Sequence, residues 1–232
     1  LYEQTKYLAF SCFNNRNTCL YYWGFSHVFR VKNNYEKLIQ RLMENLIHVQ
    51  KTFEKIVYVG KKINNREFED CVFKNCDLSN SDFAHSSFMD CEFIDCNLAM
   101  TKLLGTSLKG VRFKNCKLLG IQFEECDDFL FNVNFQECVL DYSSFANKKM
   151  PKTKFNSCSL KDTSFIGANL TSSVFENSNL DGAIFNNTQL AGADFSKASN
   201  FKIDPEFNPM KKARFSAQGI IGLLEKYDIK IV

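Results

Sequence analysis

Between Phe73 and Phe195 the large apolar residues return at every fifth position. Phe73, Leu78, Phe83, Phe88, Phe93, Leu98, Leu103, Leu108, Phe113, Leu118 and Phe123 form an unbroken series. After a two-residue insertion the series resumes at Leu130 and continues in fives to Phe195. An amphipathic helix would place apolar residues every 3.6 positions and a half-buried strand every two. A period of five fits neither and predicts a repeat architecture. Two places before each apolar centre stands a small residue, as in Ser81, Thr163, Ala168 and Ala183, and a polar residue usually lies between the two.

Units such as Ala168-Asn169-Leu170 and Ala193-Asp194-Phe195 resemble the pentapeptide-repeat family, whose consensus is A-(D/N)-L-X-X. The resemblance covers residues 66–200, more than twenty units. It implies an all-β solenoid, a right-handed quadrilateral β-helix in which four units make one square coil. Each centre and each small residue would then point inward. Positions twenty apart should stack. One face reads Phe53, Phe73, Phe93, Phe113, Phe135, Phe155, Phe175, Phe195 and Phe215 once the insertion is allowed for. The next is a leucine file from Leu78 to Leu180. A third runs Phe83, Leu103, Phe123, Phe145, Phe165, Phe185. The fourth is expected to run Phe88, Leu108, Leu130, Met150, Leu170, Leu190. Stacked rings and stacked aliphatic chains would favour such sorting.

Eight of the ten cysteines fall in the small inward position, five of them (Cys76, Cys96, Cys116, Cys138, Cys158) in one column. A free thiol packs as a small hydrophobe. Spacing of C-x₄-C puts neighbours on adjacent sides of a square and does not suit a tetrahedral zinc site. Parallel Cβ directions do not suit a disulfide torsion. No metal or cofactor is expected.

The ends depart from the pattern. Lys51–Arg66 keeps the beat at Phe53, Tyr58 and Ile63 but loses the small positions, as a capping coil does. The solenoid is assigned to 43–215. Residues 1–42 show no period of five and are expected to be either an atypical extension or a mis-assigned start ahead of Met43. Residues 196–212 should form a last, distorted coil. The segment 216–232 is expected to be a cap: Ser216 as N-cap, a helix over 217–226, and an edge strand over 229–232. Its apolar residues Ile220, Leu223, Leu224, Tyr227, Ile229 and Ile231 are candidates for a dimer interface. The segment is similar to the cap of quinolone-resistance pentapeptide proteins, a likeness that implies a homodimer.

The interruption is the second irregularity. Glu124, Glu125, Asp127 and Asp128 surround the insertion, and one coil later Lys148 occupies a position meant for a small inward residue, with Lys149 beside it. This corner must either bulge outward or pair Lys148 with Asp128. These six residues form a candidate interaction patch, because interruptions are where a solenoid varies its surface.

The formal net charge of +3 belongs to residues 1–42; residues 66–200 carry 18 acidic and 13 basic side chains. Direct nucleic-acid binding is therefore not expected. No apolar run is long enough to span a membrane, and without a secretion signal the thiols suggest a reducing, cytoplasmic setting. No phosphate loop, H-E-x-x-H or G-x-S-x-G motif is present. The sequence thus points to a non-enzymatic structural or protein-interaction module. The family resemblance offers an alternative, a DNA mimic that binds and protects a type II topoisomerase, DNA gyrase or topoisomerase IV.

Overall fold

The computed structural model describes residues 46–227 and 229. They lie in one compact unit, Asn45–Val232. Its regular structure is a stack of very short parallel strands. One sheet contains β1 (Ile47–Val49), β3 (Glu67–Glu69), β5 (Ser87–Met89) and β7 (Ser107–Lys109) in that order. The second contains nine strands, in the order β2 (Thr52–Glu54), β4 (Val72–Lys74), β6 (Glu92–Ile94), β8 (Val111–Lys114), β9 (Val133–Gln136), β10 (Lys154–Asn156), β11 (Val174–Glu176), β12 (Asp194–Phe195) and β13 (Arg214–Phe215). The remaining sides of the square are ladders of single parallel bridges: Val57–Asp77–Asn97–Lys117 on one, Gln122–Ser144–Ser164–Ile184 on another. Partners are twenty residues apart, as in Phe53↔Phe73, and the step from Phe113 to Phe135 absorbs the insertion. The chain is therefore a parallel β-solenoid with four faces.

The inward residues explain why this sequence winds this way. All nine members of the phenylalanine file stack on one another, with centroids 4.6–5.4 Å apart and ring planes within 3–15° of parallel. Parallel rings in face-to-face contact would lie at about 3.5 Å, so these are offset, the arrangement their quadrupoles prefer. Neighbouring files meet edge to face, as where Phe135 touches Phe145 at 5.8 Å and 71°. The bore is filled with apolar side chains: Phe123, Phe135, Phe145, Phe155, Leu160 and Leu170 are all buried.

The small inward residue has a second task, which the sequence pattern alone did not reveal. In many coils its hydroxyl or thiol donates to the backbone carbonyl 23 residues earlier, or 25 across the insertion, as from Cys138 to Phe113 O. Thr106 Oγ1 reaches Phe83 O at 2.9 Å, Ser178 Oγ reaches Phe155 O at 3.0 Å, and Cys96 Sγ reaches Phe73 O at 3.4 Å. Serine, threonine and cysteine are interchangeable in this place because each offers one donor on a short stem. All eight described cysteines are free and buried. Burial pushes the Cys91 and Cys126 thiols up to about 12. The corners also have a chemical demand. Every fifth residue turns through a left-handed conformation, with φ between 51° and 58° from Asn75 to Met100. Asparagine, aspartate and glycine tolerate that region best. At Gly110 (φ +67°) a Cβ would also strike the Asp90 carboxylate.

His48 is buried and stacks on Phe68 at 4.9 Å, so an imidazole heads the fourth file. Three expectations need correction. Leu130 is not in that file. It turns through φ +58° and is 65% exposed, while Phe131 is buried in its place. The last coil is less distorted than expected. Asn187, Leu190 and Gly192 still donate to Phe207 O, Pro209 O and Lys211 O, and Phe201, Ile203 and Asn208 are buried. The terminal helix is shorter than 217–226. Ser216 Oγ accepts from Gly219 N at 3.0 Å, but the regular helix α1 spans only Ile221–Leu224, followed by a 3₁₀ turn, Glu225–Tyr227. Gly222 lies so close to Phe201 that a Cβ would overlap its carbonyl oxygen, which fixes the helix against the last coil. Residues 1–42 and the greater part of the strand expected over 229–232, including Ile231, lie outside the described residues.

Candidate functional site

The loop after Phe123 holds the two-residue insertion in the coil. A 3₁₀ turn at Phe123–Glu125 closes with Cys126 N on Phe123 O at 3.0 Å. The ladder holds through Asp127, which donates to Thr106 O at 2.9 Å, and resumes at Asn132, which donates to Leu108 O at 2.9 Å. Residues 128–130 form a small outward turn. Asp127 Oδ1 accepts from Phe129 N at 3.1 Å, an aspartate turn of the ordinary kind. Leu130 takes the left-handed corner, and Phe131 swings inward.

Lys148 is the pin beneath this loop. Its side chain is 2% exposed, and its ammonium donates to Cys126 O and, at 2.7 Å, to Asp128 Oδ1. The Phe131 ring lies 5.2 Å from the same nitrogen. The expected alternatives, a bulge or an ion pair, are both present: Asp128 is lifted out, 70% exposed, and its carboxylate reaches back to the buried cation. A buried charge is tolerated only when paired and hydrogen-bonded, and here both conditions hold.

The six candidate residues separate accordingly. Glu125, Asp127 and Asp128 are exposed on the loop, and Glu124 is half-buried at its root. Lys148 is interior. Lys149 points outward from a strand bridge to Asn169 and is not drawn into the acidic group. Sequence reasoning missed the two exposed apolar residues of the loop, Phe129 and Leu130, 66% and 65% exposed. The run Phe129-Leu130-Phe131 held the signal, since three consecutive large apolar residues cannot all fit a bore that takes one in five.

At the other end, Ile220, Ile221, Tyr227 and Ile229 are exposed, and Leu223 and Leu224 are half-buried. Tyr227 Oη donates to Glu206 at 3.2 Å, and Lys226 bridges Asp204 and Glu206 at 2.7 and 3.0 Å, so polar contacts hold the cap while its apolar side faces outward. Among the described residues no group of three or more His, Cys, Asp or Glu could hold a metal ion, and no helix is long and apolar enough to cross a membrane.

Two family models match the sequence, a pentapeptide repeat region over residues 66–145 and pentapeptide repeats (8 copies) over 158–196, together about half of the chain. The chain belongs to the pentapeptide-repeat family. Solved structures of the family include two preparations of QnrB1, a plasmid-mediated fluoroquinolone resistance protein. One is 18% identical over 78% of this chain and 100% of that one, with a TM-score of 0.48; the full-length form is 19% identical over 77% and 100%, at 0.41. HetL, a pentapeptide-repeat protein involved in heterocyst differentiation regulation from the cyanobacterium Nostoc sp., is 13% identical over 78% and 93%, at 0.34. No curated protein matches the sequence.

Proposed function

We propose that this pentapeptide-repeat protein is a non-enzymatic interaction module, cytoplasmic, working without a cofactor. One observation carries the reading: the inward polar side chains are engaged in holding coils together, and what the surface offers instead is exposed apolar residues at the loop and at the C-terminal cap. Large exposed apolar groups on a soluble fold mark contact sites. The cap would serve self-association, a homodimer joined through Ile220, Leu223, Leu224, Tyr227 and Ile229; Ile231 belongs to the same proposal. The patch around Glu124, Glu125, Asp127 and Asp128 would serve a protein partner. Affinity capture from the source cells, followed by calorimetry with the purified candidate, tests the module: a saturable complex without turnover supports it, and the absence of any complex refutes it.

The second reading is a DNA mimic that occupies a type II topoisomerase. The balance of 18 acidic to 13 basic residues over 66–200 favours it, as does a nine-strand rod, about 40 Å long at ~4.8 Å per step. Electrostatic likeness to a duplex would then replace base contacts. Adding the protein to DNA gyrase supercoiling reactions with and without a fluoroquinolone distinguishes the two. Recovered supercoiling supports mimicry, and unchanged inhibition removes it.

A further inference from the structure

We infer that the tip Phe129-Leu130 is the anchor of a docking surface for a protein that presents an apolar pocket rimmed by lysine or arginine. The inference rests on reading the chain as an interaction module and names the chemistry of its partner. Phe129 and Leu130 are adjacent large apolar side chains, 66% and 65% exposed, at the tip of an outward turn between buried centres. Burying both would remove enough apolar surface to act as the energetic centre of an interface.

Charge complementarity selects the occupant. Glu125, Asp127 and Asp128 are exposed around the tip, and Glu124 stands at its root. Beside the buried Lys148, whose charge is taken up by Asp128, Lys109 approaches the outer side, its Nζ 5.0 Å from the centroid of the Phe129 ring. The ring thus already accepts a cation on its face. A partner's lysine or arginine could take that position while the carboxylates face its neighbours. Nucleic acid and anionic lipid are disfavoured by the same carboxylates.

The tip is also held in one shape before any partner arrives. Asp127 Oδ1 fixes the turn from inside, Phe131 N donates to Asp128 O at 3.4 Å, and Lys148 ties Asp128 and Cys126 from below. Ordering two apolar side chains costs less when the backbone that carries them is already fixed.

The test is photocrosslinking in the source cells, with benzoylphenylalanine placed at position 129 and, in separate strains, at Val57 and Ile221. Val57 is 73% exposed on the first coil and serves as background. The expected result is a discrete adduct from position 129, mapped by mass spectrometry to an apolar segment containing Lys or Arg. Its yield should fall on the order of tenfold in the Glu125→Lys, Asp127→Asn background, where asparagine keeps the turn acceptor but the charge is reversed. An adduct insensitive to that change, or none above the Val57 background, overturns the inference. If position 221 gives an adduct and 129 does not, the interaction module stands and this docking surface falls. If neither does, both fall.

Discussion

Deleting an exposed aspartate should harm this protein more than deleting the buried lysine beneath it. Lys148 keeps its ammonium inside the coil with one carboxylate, Asp128, at 2.7 Å and one carbonyl, that of Cys126. At that distance Coulomb's law gives about 1.5 kcal/mol at the dielectric of water and about 6 kcal/mol at an effective dielectric of 20. Asp128 is 70% exposed and well screened, so the lower end applies, and Asp128→Ala should cost about 2 kcal/mol. Lys148→Met keeps the shape of the side chain and removes the charge that had to be desolvated. It leaves the Cys126 carbonyl without its donor, a loss of about 1 kcal/mol, offset by the relief of burying an ion. Its net effect should lie within about 1 kcal/mol of zero. Adding Lys148→Met to Asp128→Ala should recover most of the loss. Urea unfolding with matched slopes measures all three. If Lys148→Met is the more damaging single change, or the double variant is no better than Asp128→Ala, the lysine is held by its carbonyl bond and packing, and the ion-pair argument is wrong.

Phe135→Ala should cost about 3–5 kcal/mol, because the ring stacks on Phe113 and Phe155 and meets Phe123 and Phe145 edge-on. Phe215→Ala, at the partly exposed end of the file, should cost clearly less by the same unfolding assay. The eight solenoid thiols should ignore a thiol reagent in the folded protein and react together on denaturation, as counted spectrophotometrically. Cys91 and Cys126 are raised by burial from 9.0 to about 12, so the unfolded chain loses these protons first. Their stabilising contribution is complete below pH 9 and declines between 9 and 12, by up to about 1.4 kcal/mol per pH unit for each thiol; an unfolding midpoint that rises with pH in that window contradicts this. Ile220→Glu should convert a dimer to a monomer in light scattering, and an unchanged mass defeats the proposed cap interface.

The files were legible in the sequence because a period of five with a twenty-residue return leaves little freedom: once Phe93 and Phe113 share a side, Phe135 and Phe155 follow. The pairing of Lys148 with the insertion was legible for the same reason, since a long cation at a small inward site demands a nearby anion. Leu130 was misplaced because counting assigns a centre by interval. The loop instead chose by geometry, turning Leu130 through a left-handed corner and sending Phe131 inward. His48 was missed since an imidazole does not register as an apolar centre, although it stacks like one. The terminal helix was overextended because Ser216 caps a turn that Gly219 and Gly222, pressed against Phe201, do not continue as a long helix. Phe129 escaped notice because a large aromatic is ordinarily assigned to the core.

The winding of the chain is tested most directly by pulsed electron spin resonance with labels on one outward column. Asp77, Asn97, Lys117, Val139, Ser159 and Asn179 are successive bridge partners. Pairs anchored at Asp77 should lengthen by one coil spacing, ~4.8 Å, with each step. The pair 77–159 should thus lie near 19 Å and 77–179 near 24 Å, label length aside. Distances that fail to grow in equal steps along that column would contradict the square solenoid and every placement built on it.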